Sequence, residues 1–185
     1  MSASILIVDD EKAQRDILET ILTREGYRTV ISGSGHDALE ELQHGEFDLV
    51  LNRHAAFNPA EVARILAPGG AFLTQQVHGM WAWDLLAAFG ATPQWPDATP
   101  VKYVPRLRAA GLEIVTVKEW EGKLSFTDVG AIVYYLKAVP WEVPGFTVAT
   151  HQRELFALQD RLDAGEPLAF VAKLYLIEAH KPAIS

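Results

Sequence analysis

Apolar positions along the chain alternate between short continuous runs and runs with helical spacing. Residues Ile5 to Val8 form a continuous run of β-favouring side chains, as expected of a strand covered on both faces. The next apolar residues, between Ile17 and Leu22, recur every three to four positions until Gly26. The alternation continues, and it predicts further strands at residues 27–31, 47–51, 71–77, 112–120 and 168–179. This pattern indicates an α/β fold with a doubly wound sheet.

Capping and breaking residues mark the helices between these strands. Ser34 is a predicted N-cap for a helix with apolar positions at 38, 39 and 42. Asn58, followed by a proline, is the predicted start of a helix that the Pro-Gly-Gly sequence at 68–70 ends. Further helices are predicted at residues 79–89, 101–110 and 128–139, and from a cap at Thr150 to Leu162.

Composition narrows the class of protein. The chain has 185 residues, of which 49% are hydrophobic and 22% charged, so it can bury a sizeable core. It contains no apolar run of membrane-spanning length and no signal-peptide pattern at its start, so we expect a cytoplasmic protein without a membrane partner. It has no cysteine, which excludes disulfides, thiolate nucleophiles and Cys-based metal sites.

The acidic charge is concentrated in the first part of the chain. The net charge is -8, and residues 1–50 alone hold 4 Lys/Arg against 11 Asp/Glu, while all prolines and tryptophans lie further on. An acidic surface repels phosphate backbones, so we expect no nucleic-acid partner. We expect no other partner either, and a monomer. The change in composition has two interpretations: chance variation with one acidic functional end, or two sequence histories in one chain.

Residues 4–51 resemble the first half of a response-regulator receiver domain. The resemblance rests on the strand SILIV with the acidic pair Asp9 and Asp10, on Gly26-Tyr27 before the second strand, and on Ala38-Leu39 in the second helix. It implies a flavodoxin-like fold in which the acidic pair holds Mg²⁺. Asp9 and Asp10 are therefore candidate metal ligands, of a weak and vestigial kind.

The rest of the chain resembles a second family. From about residue 47 onward, FDLVLNRHAAFNPAEVARILAPGGAFLTQQV and DVGAIVYYLKAVPWEVPGF are similar to the second half of a class I S-adenosylmethionine-dependent methyltransferase. The PGG turn is common elsewhere, whereas its combination with NRH, TQQV and YYLKAVPW is more specific. The strand FDLVL fits both families and is the expected seam, near residues 47–53.

Each resemblance lacks the residues that carry its family's chemistry. Receivers place a phosphoacceptor aspartate at the end of the third strand, and here that position is Arg53. Thr74 is a match for the family's Thr or Ser after the fourth strand, but the lysine of the fifth strand has no counterpart. We therefore expect no phosphorelay role, and Mg²⁺ binding that is weak at most.

The methyltransferase half lacks its cofactor loop. Such enzymes carry a glycine-rich loop after the first strand and an acidic residue at the end of the second. Here the first strand continues into Asp9-Asp10-Glu11-Lys12, and the second ends at Ser32. Gly33-Ser34-Gly35 follows the wrong strand. We therefore expect no binding of S-adenosylmethionine and no other cofactor.

The two halves can share one sheet. Superposing the receiver's third strand on the methyltransferase's fourth predicts a single six-stranded α/β domain, Rossmann-like and flavodoxin-like, with strand order 2-1-3-4-6-5 and an antiparallel last strand. Residues 1–50 would be the receiver-derived half and residues 51–185 the methyltransferase-derived half. Because each family is cut within its sheet, the expected function is that of an engineered hybrid with no inherited catalysis, hence no enzyme. Two alternatives stay open: a residual methyltransferase or cofactor-binding protein, and a receiver-like Mg²⁺-binding module without phosphotransfer.

A few further side chains invite a functional interpretation. His54, beside Arg53, is either a substrate-facing residue or a solvated loop histidine. Trp81, Trp83 and Phe89 either line a substrate pocket or pack at the rim of the core. His36 and His44 fit the surface of the second helix.

Overall fold

The computed structural model describes residues 3–9, 11–34 and 46–183. These residues form a six-stranded sheet with helices on both sides. Its strands are β1 (Ser4–Asp9), β2 (Arg28–Ser32), β3 (Phe47–Arg53), β4 (Leu66–Val77), β5 (Glu113–Phe126) and β6 (Leu168–His180). The strand order is β2-β1-β3-β4-β6-β5, and β6 is antiparallel. The predicted fold class and strand order are confirmed.

Six helices lie in the described part of the chain. They are α1 (Lys12–Arg24), α2 (Pro59–Ile65), α3 (Trp83–Ala88), α4 (Pro100–Ala109), α5 (Val129–Ala138) and α6 (Gln152–Asp163). The helix predicted around residues 38–42 lies outside the described residues, as do His36 and His44. No helix among the described residues has both the length and the apolar character needed to cross a membrane.

Local capping explains where two of these helices begin. The Asn58 side chain accepts a hydrogen bond from the amide of Ala60 at 3.0 Å, and the Asp128 side chain accepts one from Ala131 at 2.8 Å. The predicted cap at Thr150 is wrong. Its hydroxyl lies 2.8 Å from the His151 ring and joins a turn with Thr147, so His151 occupies the N-cap position and makes no side-chain cap bond.

The Pro-Gly-Gly sequence does not separate α2 from β4 as predicted. The strand begins at Leu66, and residues 68–70 lie within it, where the pairing with β3 shifts register between Phe47 and Leu49. A Cβ atom on Gly70 would lie 2.8 Å from the Ala67 carbonyl oxygen and 2.9 Å from that of Phe47. Only glycine permits this close backbone approach, and the shift absorbs the irregular backbone within the strand.

The predicted helix over residues 79–89 is also shorter in the structure, Trp83–Ala88. Ala82 has a left-handed backbone with φ of 49°, and its amide donates to the Val171 carbonyl at 2.9 Å. This bond holds the preceding turn out of the helix. The strand β5, in contrast, is longer than predicted. The alternation of side chains continues beyond residue 120, and the strand extends to Phe126.

The chain divides into two compact units, and β5 and β6 contribute residues to both. Unit 1 comprises residues 1–77, 99–119 and 175–185. All six side chains of β1 are buried, as a strand covered on both faces requires. The core of unit 1 is built from large buried side chains of four strands and two helices, including Leu6, Val50, Val62, Phe72, Leu107 and Ile177. The predicted seam lies inside this unit, and the division into halves by sequence origin stays a prediction.

Unit 2 comprises residues 78–98 and 120–174 and has its own core. That core includes Leu85, Leu86, Phe89, Ile132, Leu136, Leu158 and Phe170. Phe89 is buried as core, Trp81 is partly buried at the rim and Trp83 is exposed. Rim and core packing, one of the two interpretations of these aromatic residues, therefore describes Trp81 and Phe89.

Candidate functional site

Polar side chains collect at the carboxyl ends of β1, β3 and β4 in unit 1. We call this group, Asp9, Asn52, Arg53, Thr74, Gln75 and Gln76, the edge site. The carboxyl ends of parallel strands, on either side of the point where strand order reverses, form the crevice where ligands bind in doubly wound folds. Here β1 and β3 pair directly, so that crevice begins at Asp9 and Arg53.

Asp9 is the last residue of β1 and is 1% exposed. Its Oδ1 accepts a hydrogen bond from the Glu11 amide at 2.8 Å, and its main-chain oxygen accepts one from Arg15 Nη1 at 2.6 Å. The second carboxylate oxygen, Oδ2, accepts no hydrogen bond from the described residues. A buried carboxylate in this state needs a compensating positive charge.

Arg53 supplies that charge from the end of β3. It stands opposite Asp9 in the parallel register, and its Nη1 lies 3.6 Å from Asp9 Oδ2. Its Nε donates to the side-chain oxygen of Gln75 at 3.4 Å, which braces the guanidinium from β4. Arg53 and Asp9 therefore lie side by side at the ends of β3 and β1, whereas Asp10 lies outside the described residues.

A second set of side chains fixes the β3–β4 side of the edge site. Thr74 is fully buried, and its hydroxyl donates to Asn52 Oδ1 at 2.8 Å. The Gln76 amide donates to the same Thr74 hydroxyl at 2.8 Å and to the Ala55 carbonyl at 3.0 Å. The hydroxyl that is predicted to correspond to the receiver family's Thr or Ser thus donates one hydrogen bond and accepts another within the protein.

Sequence reasoning did not single out Asn52, Gln75 or Gln76. The sequence does carry a signal for them, because these polar residues come at the ends of two otherwise apolar strands. His54, which sequence reasoning did single out, follows β3 with a left-handed φ of 50°, and its amide donates to the Gln75 carbonyl at 2.9 Å. A non-glycine residue in this conformation is uncommon and stores strain where a site needs a fixed turn.

The residues present fit a metal ion poorly. Magnesium prefers octahedral coordination by oxygen atoms, with one or more carboxylates among them. Among the described residues no group of three acidic or histidine side chains is placed to hold a metal. The one buried carboxylate of the edge site faces a guanidinium instead. The predicted role of Asp9 and Asp10 as weak metal ligands remains a prediction.

The described residues of the loops beside the edge site depart from the pattern that the methyltransferase resemblance implies. The turn after β1 has no glycine, and the Arg15 guanidinium folds back onto the main chain of Asp9. At the end of β2 the Ser32 hydroxyl donates to the Ser34 carbonyl at 2.8 Å, where a ribose-binding carboxylate is expected. A Cβ atom on Gly33 would lie 3.4 Å from the same guanidinium, so Arg15 fills the space near this turn.

Comparison with known proteins gives a family match for the N-terminal part of the chain. Residues 5–52 match the response regulator receiver domain. The transcriptional regulatory protein YvrH of Bacillus subtilis is 41% identical over 51 residues, 27% of this chain and 22% of that protein. The transcriptional regulatory protein ZraR of Salmonella typhimurium is 45% identical over 47 residues, 25% of this chain and 11% of that protein. The chain thus spans less than a quarter of the length of these curated relatives.

Solved structures resemble the chain over nearly its whole length. A candidate methyltransferase from Bacillus halodurans C-125 has a TM-score of 0.58 at 12% identity, covering 98% of this chain and 94% of that one. The YcgJ protein from Bacillus subtilis has a TM-score of 0.53 at 16% identity, covering 99% and 93%. At these identities the likeness shows the fold alone. The chain matches the receiver family in sequence over residues 5–52 and methyltransferase structures in fold.

These comparisons confirm the resemblance to a receiver in the first 50 residues and to a methyltransferase in the fold. They contradict the expected function of an engineered hybrid with no inherited catalysis. Bacterial proteins carry the same fold over the whole chain, and a bacterial family matches residues 5–52. Cutting each family within its sheet was the reason for that expectation, but one continuous sheet of methyltransferase type accommodates both segments. The findings support a receiver-like or methyltransferase-like protein.

Proposed function

We propose that this chain is a receiver-like module whose edge site is set by an internal ion pair and not by phosphorylation. The observation that carries the proposal is the Arg53 guanidinium, 3.6 Å from the buried Asp9 carboxylate and opposite it in the sheet register. The receiver match ends at residue 52, and the resemblance to that family implies that the next position, 53, corresponds to its phosphoacceptor carboxylate.

An arginine in place of an aspartate at position 53 removes the group that would accept a phosphoryl group. Phosphoryl transfer to a receiver forms an acyl phosphate on a carboxylate oxygen, and a guanidinium offers no such nucleophile. Arginine also stays protonated at every physiological pH, so its positive charge is always present beside the Asp9 carboxylate. Among the described residues the edge site pairs one buried carboxylate with one fixed positive charge, so this pair does not require Mg²⁺ for neutrality.

The strength of the ion pair follows from its burial. Exposed ion pairs contribute about 0.2–1 kcal/mol, and losing one partner of a buried pair costs several times more. Here Asp9 is 1% exposed while the Arg53 side chain is 37% exposed, so the pair lies between these limits. Removing Arg53 would leave the Asp9 carboxylate buried. Among the described residues, the main-chain amide of Glu11 would then be the group that donates a hydrogen bond to it.

The experiment treats the protein with acetyl phosphate and Mg²⁺ and measures its intact mass. A receiver that accepts phosphoryl groups is the positive control, and Arg53→Asp is the matched variant that restores a carboxylate at this position. We expect the parent to keep its mass. An acid-labile gain of one phosphoryl group on the parent, at Asp9 or Asp10, would refute the proposal.

A second candidate function is that of a methyltransferase. It is favoured by the sheet, in which the antiparallel β6 lies between β4 and β5 as in the methyltransferase arrangement. The acidic, glycine-free turn after β1 opposes it, because carboxylates there repel the carboxylate of the methionine end. Calorimetric titration with S-adenosylmethionine distinguishes the two functions. We expect no saturable heat, and micromolar affinity would establish the second candidate in place of the first.

A further inference from the structure

Unit 2 contains a chain of three hydrogen-bonded side chains that no part of the edge site uses. The indole Nε1 of Trp81 donates to the Tyr135 hydroxyl at 2.9 Å, and that hydroxyl donates to Glu142 Oε1 at 2.8 Å. Because an indole can only donate, the direction of the first bond is fixed, and the Tyr135 hydroxyl keeps its own proton for Glu142. The chain of bonds therefore ends at a carboxyl group.

The far oxygen of that carboxyl group is the uncompensated end. Glu142 Oε2 is buried and accepts no hydrogen bond from any described residue. Burial raises the pKa of Glu142, and the hydrogen bond from Tyr135 lowers it in part. No charged side chain of the described residues adds to these two effects. In the folded protein Glu142 therefore ionises at a higher pH than it would in water.

Glu142 lies in a short turn, residues 139–146, that follows α5. The turn is anchored by the buried side chain of Val143 and by Phe146, whose ring meets Phe89 edge-on at 5.6 Å. His151, at the start of α6, is the titratable group on the far side of the turn, with its ring 5.3 Å from Phe146. Tyr135 and Trp81 are the groups that face the carboxyl itself.

We propose that Glu142 is a pH-sensitive latch: the turn at 139–146 stays docked on Tyr135 while the carboxyl is protonated, and ionisation of the carboxyl releases it. An ionised carboxylate has two oxygens that need donors, and the docked turn provides for one. Moving the turn into water solvates the other. The open form therefore gains population as the pH rises, and Val143 leaves the core with it.

Amide hydrogen exchange within the turn tests the latch. The amide of Glu142 donates to the Val139 carbonyl at 3.0 Å and that of Phe146 to the Val143 carbonyl at 3.1 Å, so both report on opening. The variant Glu142→Gln keeps an oxygen acceptor for Tyr135 and the same shape, but it cannot ionise. Dividing the parent's exchange rates by those of Glu142→Gln at each pH removes the intrinsic pH dependence of exchange.

We expect this ratio to be close to one in mild acid and to rise several-fold towards mildly alkaline pH. The exposed Glu113→Gln changes the net charge equally and should leave the parent's exchange unaltered. Fluorescence of Trp141, which adjoins Glu142, gives a second readout that should follow the same pH profile in the parent and be flat in Glu142→Gln. A ratio that stays constant, or a pH response that persists in Glu142→Gln, would overturn the proposal.

Discussion

At position 53 a single side chain sets the charge of the carboxyl edge of the sheet. A carboxylate there would add to Asp9 and create a site that a divalent cation must neutralise. The guanidinium instead pairs with Asp9 and is braced by Gln75 on the next strand. The likeness to receivers and the departure from them therefore meet at one residue of β3.

Glu142 makes the pH dependence of stability testable at a single residue. Because its pKa is raised in the folded state, the unfolded chain ionises first as pH increases, and the fold loses stability until the raised pKa is passed. We predict that Glu142→Gln raises the free energy of unfolding at neutral pH, because the neutral amide removes a charge that burial disfavours. In mild acid, below the ordinary carboxyl pKa, the difference should nearly vanish.

Urea unfolding at both pH values measures this effect. Glu113→Gln, on the exposed edge of β5, is the matched control and should change little. A gain for Glu142→Gln that is larger in acid than at neutral pH would contradict the assigned protonation.

Among the helices, the caps give the clearest difference between similar sequence positions. The Asp128 side chain bonds the Ala131 amide at the start of α5, whereas Thr99 at the start of α4 makes no side-chain cap bond. We predict that Asp128→Ala destabilises the protein by about 1 kcal/mol and that Thr99→Ala costs much less. Chemical denaturation of both variants checks this, and equal losses would show that the cap bond contributes nothing.

The strand β4 depends on a glycine at its irregular start. A side chain on Gly70 would press on the carbonyl oxygens of Ala67 and Phe47. We predict that Gly70→Ala lowers the free energy of unfolding by about 1–3 kcal/mol, the usual cost of overpacking. Gly90→Ala is a useful comparison, since its Cβ would meet no atom and only the positive φ of 69° would oppose it. A smaller loss at Gly70 than at Gly90 would contradict the close approach.

Whether an element could be predicted depended on how local its cause is. The strand from Ile5 to Val8 and the cap at Asn58 were predictable, because each rests on neighbouring residues. The pairing of Arg53 with Asp9 was predictable from parallel strand ends and the receiver resemblance together. By contrast, the start of β4 depends on the backbone of Phe47 across the sheet, and no local signal carries it.

The bonds from Trp81 through Tyr135 to Glu142 show the same limit at a site. The three residues are separated by 54 and 7 positions, and tertiary packing alone brings them together. The sequence predicted Trp81 as an aromatic residue of the rim or of a pocket. Its hydrogen-bond partner, Tyr135, could not be predicted from sequence spacing. The helix predicted over 79–89 was too long for a related reason, since Val171 holds Ala82 in a turn.

At the scale of the whole molecule, the fold resembles one class of protein and the N-terminal sequence resembles another. The sheet order is shared with methyltransferase-type structures across the chain, while the detailed sequence likeness to receivers is confined to residues 5–52. A fold hosts many functions, so the residues at the carboxyl edge decide between them. There the turn after β1 is acidic, Thr74 is engaged and Arg53 opposes Asp9. On these features we base the proposal of a receiver-like module whose edge site is set by an internal ion pair.

Thermal melting with and without Mg²⁺ tests this account most directly. The parent, Arg53→Asp and the charge-conserving control Arg53→Lys are melted at matched ionic strength. We predict that Arg53→Asp is less stable than the parent without metal, since it gathers carboxylates at one strand edge. At a Mg²⁺ concentration ten times its Kd it should regain about 1.4 kcal/mol, or about 3–6 °C in Tm. The parent and Arg53→Lys should not respond. A parent whose Tm rises with Mg²⁺ as much as that of Arg53→Asp would contradict the internal ion pair as the element that sets this site.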